Sequence, residues 1–168
     1  MAEVTLKTQY NIVGIVPVAV SFNKAAKGDV ITITNIPGIY PPKVVVGGAD
    51  ESWTYSTVTL SAAPTKGANA AVITTNATDF AALPVGAYLQ NLTSGEIFVI
   101  LQKVNADSTY TFYCTRGLFG TEVTALAASD KIAIMNQIAL TSAATGFGIL
   151  EATPYPDPGI AQALNYMQ

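Results

Sequence analysis

Few residues in this chain of 168 could carry out chemistry. It has no histidine, which removes the commonest general base and excludes Ser-His and Cys-His nucleophile pairs. Its single cysteine, Cys114, alternates with Tyr110 and Phe112 on one face of an expected strand, so we interpret it as a buried, inert thiol. A structural zinc site needs several Cys or His ligands. The sequence therefore predicts a protein that is not an enzyme and that holds no metal or cofactor.

The carboxylates offer one adjacent pair, Asp50-Glu51, in the Gly-rich loop 47–52. Such a pair could ligate calcium or serve a glycosidase. Calcium, however, takes about six to eight oxygen ligands, usually from several carboxylates, and no second cluster lies nearby in the sequence. We interpret the pair as part of a solvated loop. The chain also lacks a phosphate-binding Gly-x-x-x-x-Gly-Lys motif and a dinucleotide fingerprint.

Trp53 and Tyr55 follow that loop two residues apart, which places them on one face of an expected strand. Two such rings could stack on a sugar. Trp and Tyr are also favoured anchors of protein–protein interfaces, and we expect an interface here.

Charge is scarce: 11% of the residues are charged and the net charge is −3, against about a quarter charged in typical domains. We expect much of the exterior to be covered by neighbouring subunits; the alternative is a hydroxyl-rich β-protein kept in solution by Thr, Ser and Asn. Arg116 is the only arginine among eight basic residues. No basic stripe can supply phosphate contacts, so nucleic acid is not expected as a partner.

No apolar run reaches the roughly 18–20 residues that span a membrane, so no membrane association is expected. The N-terminus lacks the basic stretch and apolar segment of a secretory signal. A lone cysteine agrees with folding in a cytoplasm.

Strand patterns predict an all-β fold. Residues 29–34 alternate Ile with Thr, with the period of two of a half-buried strand. Residues 96–104 contain a continuous apolar run and 109–115 alternate again, so the short linker 105–108 predicts a hairpin. A further strand is expected over 131–140.

The loop 63–69 is the expected boundary between two modules. We predict an N-terminal β module or arm over 1–66, a small β-barrel or sandwich module over about 67–140, and an extended C-terminal arm over 141–168. The Pro-rich stretch 154–158 is interpreted as a spacer leading away from the barrel.

A short helix is predicted at the end of the arm. Asp157 is its expected N-cap, and Pro158 fits the first helical position. Ile160, Leu164 and Met167 would then share one face. Since so short a helix is marginal alone in water, we expect this face to dock either on the protein's own body or, as we favour, on a neighbouring subunit.

Residues 70–134, about two fifths of the chain, carry a recognisable pattern. Its main parts are Gly95-Glu-Ile-Phe-Val99, then Thr115-Arg-Gly-Leu-Phe-Gly-Thr121, then the strand after Ala127-Ala-Ser-Asp. This pattern resembles the small β-barrel module of many tailed-bacteriophage virion proteins, including capsid and decoration proteins. That family often has a histidine in the loop after Gly-Thr, which this chain lacks.

Within the motif, Glu96, Arg116, Gly117, Gly120 and Thr121 are the candidate structural residues. The two glycines bracket a reversal and can adopt positive φ. Glu96 begins one strand of the hairpin and Arg116 ends the other, so they can form a bidentate ion pair. We predict that Arg116 clamps the loop from Gly117 to Ala128 onto Glu96 or onto loop carbonyls; the alternative is an arginine that recognises a charged partner.

The resemblance implies a head decoration (cement) protein. Such a protein binds the outer capsid surface and stabilises it through intersubunit contacts, often as a homotrimer. Its expected location is the virion, after folding in the host cytoplasm, and its expected partners are the major capsid protein or other virion proteins. The alternatives are another virion component (a tail, fibre or head–tail accessory protein) or a carbohydrate-binding β module that uses Trp53 and Tyr55.

Overall fold

The structure, a computed structural model, describes residues 3–7, 18–25, 27–34, 36–59, 70–75, 77–142 and 144–155. These residues form mainly β-strands, so the predicted all-β class is confirmed. The elements in chain order are β1 (Glu3–Lys7), β2 (Val18–Ala25), β3 (Val30–Thr34), β4 (Lys43–Val46), β5 (Ala49–Asp50), β6 (Trp53–Thr59), β7 (Ala70–Thr75), α1 (Ala77–Ala82), β8 (Tyr88–Asn91), β9 (Ile97–Ala106), β10 (Thr109–Thr115), a 3₁₀ turn (Leu118–Gly120), β11 (Lys131–Leu140) and β12 (Ala144–Ala152).

The chain divides into two compact units. The first comprises residues 1–56 and 135–157, and the second comprises 57–134 and 158–168. This differs from the predicted modules 1–66 and 67–140, because β11 leaves the second unit after Ile134 and continues in the first. The strand pattern of β11 was visible in the sequence, but not which partners its two halves would find.

In the first unit, β12 is an interior strand of a four-stranded sheet with the order β2-β12-β4-β5. It pairs antiparallel with β2, and on its other side with β4. Residues 144–152 therefore belong to a sheet and not to an extended arm, which corrects the prediction for this part of 141–168. The predicted helix with Ile160, Leu164 and Met167 lies outside the described residues.

The first unit has its own apolar core. Within this unit β3 pairs in parallel with β1 and antiparallel with β11, opposing Ile31 to Ile138. Ile31 and Ile33 are buried, as the alternation predicted, but Thr32 between them is buried as well, so this part of β3 is covered on both faces. The buried residues of this core are Phe22, Ile31, Ile33, Ile36, Ile39, Val44, Val46, Ile138, Leu140, Leu150 and Ala152.

The second unit is built on the predicted hairpin, which is confirmed with a tighter turn. β9 and β10 pair from Ala106 and Thr109 onwards, so only Asp107 and Ser108 form the turn. Both have positive φ (49° and 63°), as a two-residue type I′ turn requires. Asn and Gly are the usual residues there, and their absence made the turn hard to place from sequence.

The other strands of this unit extend the hairpin into an open sheet. β7 pairs with β10, β8 pairs with β9, and residues 132–134 of β11 pair with β8. Among the described residues β7 and β11 are not paired with each other. The strands therefore do not close into the barrel that we expected as one form of the module.

Cys114 lies in the core of the second unit. Its side chain is fully buried, as predicted, beside Phe98, Ile100 and Phe112 in the same cluster. Burial raises the pKa of the Cys114 thiol, although the nearby Arg116 acts in the opposite direction. The thiol is thus held in its neutral form.

A close approach in the four-stranded sheet gives a stability prediction. A Cβ atom at Gly148 would lie 2.3–2.7 Å from ring carbons of Phe22, so Gly148→Ala must displace a buried ring. We expect a loss of about 1–3 kcal/mol, as for overpacked cores, measured by denaturant unfolding. Phe22→Leu in the same background should recover part of that loss; a double variant no more stable than Gly148→Ala would contradict the proposed clash.

Candidate functional site

The candidate site is the connection 116–130 between β10 and β11, whose only regular element is the 3₁₀ turn. Arg116 directly follows β10, and Glu96 directly precedes β9. The antiparallel register opposes Thr115 to Val99, so the hairpin brings both side chains to the same end of the two strands. The sequence prediction rested on this placement.

Glu96 and Arg116 form a buried, bidentate ion pair. Arg116 Nε donates to Glu96 Oε1 at 2.7 Å, and Nη2 donates to Oε2 at 2.5 Å. The exposed fractions of the arginine and glutamate side chains are 2% and 0%. The two charges cancel inside the protein, which leaves Arg116 inaccessible to a charged partner and argues against that alternative.

Thr124 extends the ion pair onto the loop. Arg116 Nη2 also donates to the Thr124 carbonyl oxygen. Thr124 in turn donates to Glu96 Oε2 from its backbone N–H at 3.1 Å and from its hydroxyl at 3.3 Å. Glu96, Arg116 and Thr124, called the clamp below, thus tie the middle of the loop to the end of the hairpin.

Thr121 supplies a second attachment. Its hydroxyl donates to the Leu118 carbonyl at 2.8 Å and accepts from the Ile97 N–H at 3.0 Å. The candidate residue Thr121 therefore joins the 3₁₀ turn to the start of β9.

Asp130 supplies a third attachment at the end of the loop. Its Oδ2 accepts from the Asn91 side-chain amide at 2.8 Å and from the Ala127 N–H at 3.0 Å. Asn91 is buried, and its Oδ1 accepts from the Thr93 N–H at 2.7 Å. Sequence reasoning missed Thr124, Asn91 and Asp130; the Asn-Leu-Thr-Ser-Gly turn that follows β8 was a signal for Asn91 alone.

Three residues of the tip, Gly117, Phe119 and Gly120, have positive φ values of 67°, 57° and 74°. A side chain at position 117 is also sterically unfavourable, because a Cβ there would lie 2.9 Å from Val123 Cγ2. Phe119 is unusual, since the left-handed region costs a residue with a side chain roughly 1–2 kcal/mol. Its ring packs against the ring of the buried Tyr88, with centroids 5.7 Å apart.

The clamped loop presents apolar side chains to solvent. Phe119 is 36% exposed and Val123 is 44% exposed. Leu92, also exposed, lies near the base of the loop, where its N–H donates to the Lys131 carbonyl. Arg116 and Thr121 are used inside the protein and Leu118 is buried, whereas Phe119 and Val123 face solvent, an arrangement that suits contact with another macromolecule.

Trp53 and Tyr55 are placed differently from the prediction. Both are partly buried against the core of the first unit, with ring centroids 4.9 Å apart and planes at 77°. Tyr55 Oη donates to the Ile39 carbonyl at 3.0 Å. Because the rings are nearly perpendicular and serve internal packing, they offer no pair of parallel faces for a sugar and only a limited surface to a protein.

Asp50 and Glu51 each interact with a nearby side chain. Asp50 lies 3.5 Å from Lys43 Nζ, and the Ser142 hydroxyl donates to Glu51 at 2.9 Å. Within the described ranges, no group of three or more potential metal-ligating residues was found. None of the helices described there is long and apolar enough to cross a membrane.

Comparisons with protein-family models, with curated proteins and with solved structures find no match.

The clamp gives a second stability prediction. Arg116→Lys keeps the charge but loses the planar fork that reaches both carboxylate oxygens and the Thr124 carbonyl. We expect a loss of roughly 1.5–3 kcal/mol, the value of a hydrogen bond to a charged group, measured by denaturant unfolding. The matched control, Lys43→Met, removes an exposed ion pair and should cost less than about 1 kcal/mol. Equal effects of the two substitutions would contradict a structural role for the clamp.

A tyrosine cluster in the first unit makes a pH prediction possible. Tyr40 and Tyr155 stack with centroids 3.9 Å apart. Burial, and secondarily the neighbouring phenol, raises the pKa of both Tyr55 and Tyr155. Above about pH 10, the ordinary tyrosine pKa, the unfolded chain loses protons that the folded chain keeps. Stability is therefore fully present below that pH and falls as the pH rises towards the folded values.

We expect Tyr55→Phe to reduce this alkaline sensitivity. At pH 7 the variant should be about 1 kcal/mol less stable, because the hydrogen bond to Ile39 is lost. Between about pH 9.5 and 11 its stability should fall less steeply than that of the wild type, as followed by urea midpoints. Tyr113→Phe, at an exposed tyrosine, is the control. Parallel pH curves for Tyr55→Phe and wild type would show that Tyr55 does not contribute.

Proposed function

We propose that this protein is a non-catalytic structural component of a bacteriophage virion, and specifically a head decoration protein that binds the outside of the capsid shell. The observation that carries the proposal is the orientation of the Arg-Gly-x-x-Gly-Thr motif. Arg116 and Thr121 are used internally to fix the loop, whereas Phe119 and Val123 are exposed on it. A motif built in this way supports a contact surface.

The chain composition supports the same proposal. With 11% charged residues and half of its residues apolar, the protein resembles the uncharged interior of an interface more than a surface adapted to remain alone in solution. A decoration protein would use such a surface to bridge neighbouring capsid subunits. The perpendicular rings of Trp53 and Tyr55 give the carbohydrate-binding alternative no support.

The direct test is capsid binding. Purified protein is mixed with undecorated capsids of the same phage, and bound protein is quantified after sedimentation. We expect saturable, stoichiometric binding and an increase in the temperature at which capsids rupture, because intersubunit bridges oppose shell disassembly. Bovine serum albumin at the same concentration controls for nonspecific stabilisation.

The contrary outcomes are also informative. Binding to purified tails or fibres, with none to capsids, would replace the proposal with the tail or accessory alternative. A virion role would be contradicted by a protein that is strictly monomeric in analytical ultracentrifugation and binds neither capsids nor tails or fibres. The proposed homotrimer predicts three times the mass of the 17.5 kDa chain.

A further inference from the structure

We propose that Phe119 and Val123 form the contact by which this protein holds the shell, and that they enter an apolar pocket of the capsid surface flanked by basic side chains. The inference rests on the proposed function and names the partner of the clamped loop.

The conformation of Phe119 is the first argument. Its φ of 57° lies in the left-handed region, which Gly and Asn adopt more readily than an aromatic residue. Phe at this position therefore lowers stability, and its ring contact with Tyr88 leaves about a third of the residue exposed. An aromatic side chain held at a stability cost on an exposed tip is better explained by binding than by folding.

Rigidity is the second argument. The attachments of Thr121 to Ile97, of Thr124 to Glu96 and of Asp130 to Asn91 fix the loop on both sides of Val123. Because the loop is ordered before the encounter, association loses little conformational entropy. Aromatic anchors on such preorganised surfaces contribute a large share of binding energy.

Charge identifies the partner. Residues 117–130 contain Glu122 and Asp130 and no lysine or arginine, and the charge of Arg116 is neutralised by Glu96. Glu122 is exposed beside Val123, and the next basic residue, Lys131, begins β11. A second copy meeting this surface by two-fold symmetry would oppose Glu122 to Glu122, an unfavourable contact. A capsid pocket with basic side chains at its rim is complementary.

The first unit offers a matched control surface. Phe147 is 61% exposed and Ile149 lies two residues further along the same face of β12. That face also carries opposite charges, with Lys43 across from Glu151 in the register and beside Asp50. Phe147 is more exposed than Phe119, so apolar exposure alone would favour Phe147 as the anchor.

The test compares Phe119→Asn with Phe147→Thr in the capsid sedimentation assay. Asn tolerates the left-handed conformation, so Phe119→Asn should keep the melting temperature within a few degrees of wild type while weakening binding about tenfold or more. Phe147→Thr should bind as wild type does. Glu122→Lys should weaken binding, and the loss should shrink at high salt because screening reduces the repulsion.

The outcomes separate this inference from the proposed function. If the wild type fails to bind capsids, the proposed function fails and this contact fails with it. If the wild type binds and Phe119→Asn binds equally well, only the contact is wrong; loss of binding in Phe147→Thr alone would place it on the first unit. If Phe119→Asn does not fold, the same binding measurement is made with Val123→Thr, which is nearly isosteric. Weakened capsid binding by that variant would support the contact, and unchanged binding would contradict it.

Discussion

The buried ion pair between Glu96 and Arg116 is the interaction on which the second unit's surface depends. Removing two charges from water is costly, and attraction offsets that cost only when the geometry is good and the remaining polar atoms are satisfied. Both conditions are met, because the pair is bidentate and Thr124 bonds to each partner. The loop cannot move away from the hairpin without losing the hydrogen bonds that join Thr124 to both members of the pair. These charge-assisted hydrogen bonds fix its position together with the burial of Leu118 and Leu126.

That constraint explains how the tip can hold an unfavourable backbone conformation. Gly117, Phe119 and Gly120 adopt positive φ, and the loop 116–130 buries two large apolar side chains, Leu118 and Leu126. Strained residues persist where the surrounding structure over-determines them. The attachments of Thr121 and Thr124 on one side, and the packing of Val123 over Gly117 on the other, supply that determination. The strained backbone at Phe119 and its exposed ring therefore depend on the contacts of the clamp.

The sequence predicted those parts of the fold and of the loop that follow from local patterns. Alternation located β3, β10 and β11, and the hairpin placed Glu96 and Arg116 at the same end of two adjacent strands. It did not predict Thr124 or Asp130, because these contacts join residues that no periodicity relates. The sequence assigned the residues of β12 to an extended arm; the structure places them in a sheet, where Gly148 makes room for Phe22. The sequence correctly placed Trp53 and Tyr55 on one face of a strand, but it did not show that this face packs against the core of the first unit.

The clamp determines both the rigidity of the loop and the sign of its charge. It uses the only arginine and one of eleven acidic residues internally, so Glu122 and Asp130 are the charged residues that remain in the loop 117–130. A loop that is both ordered and weakly charged has little to lose on association: few side chains must be immobilised and few ions must be desolvated. A mobile loop with the same exposed residues would lose more entropy on binding, and a charged one would lose more hydration. The buried pair thus connects the fold of the second unit to the kind of contact that its surface is suited to make.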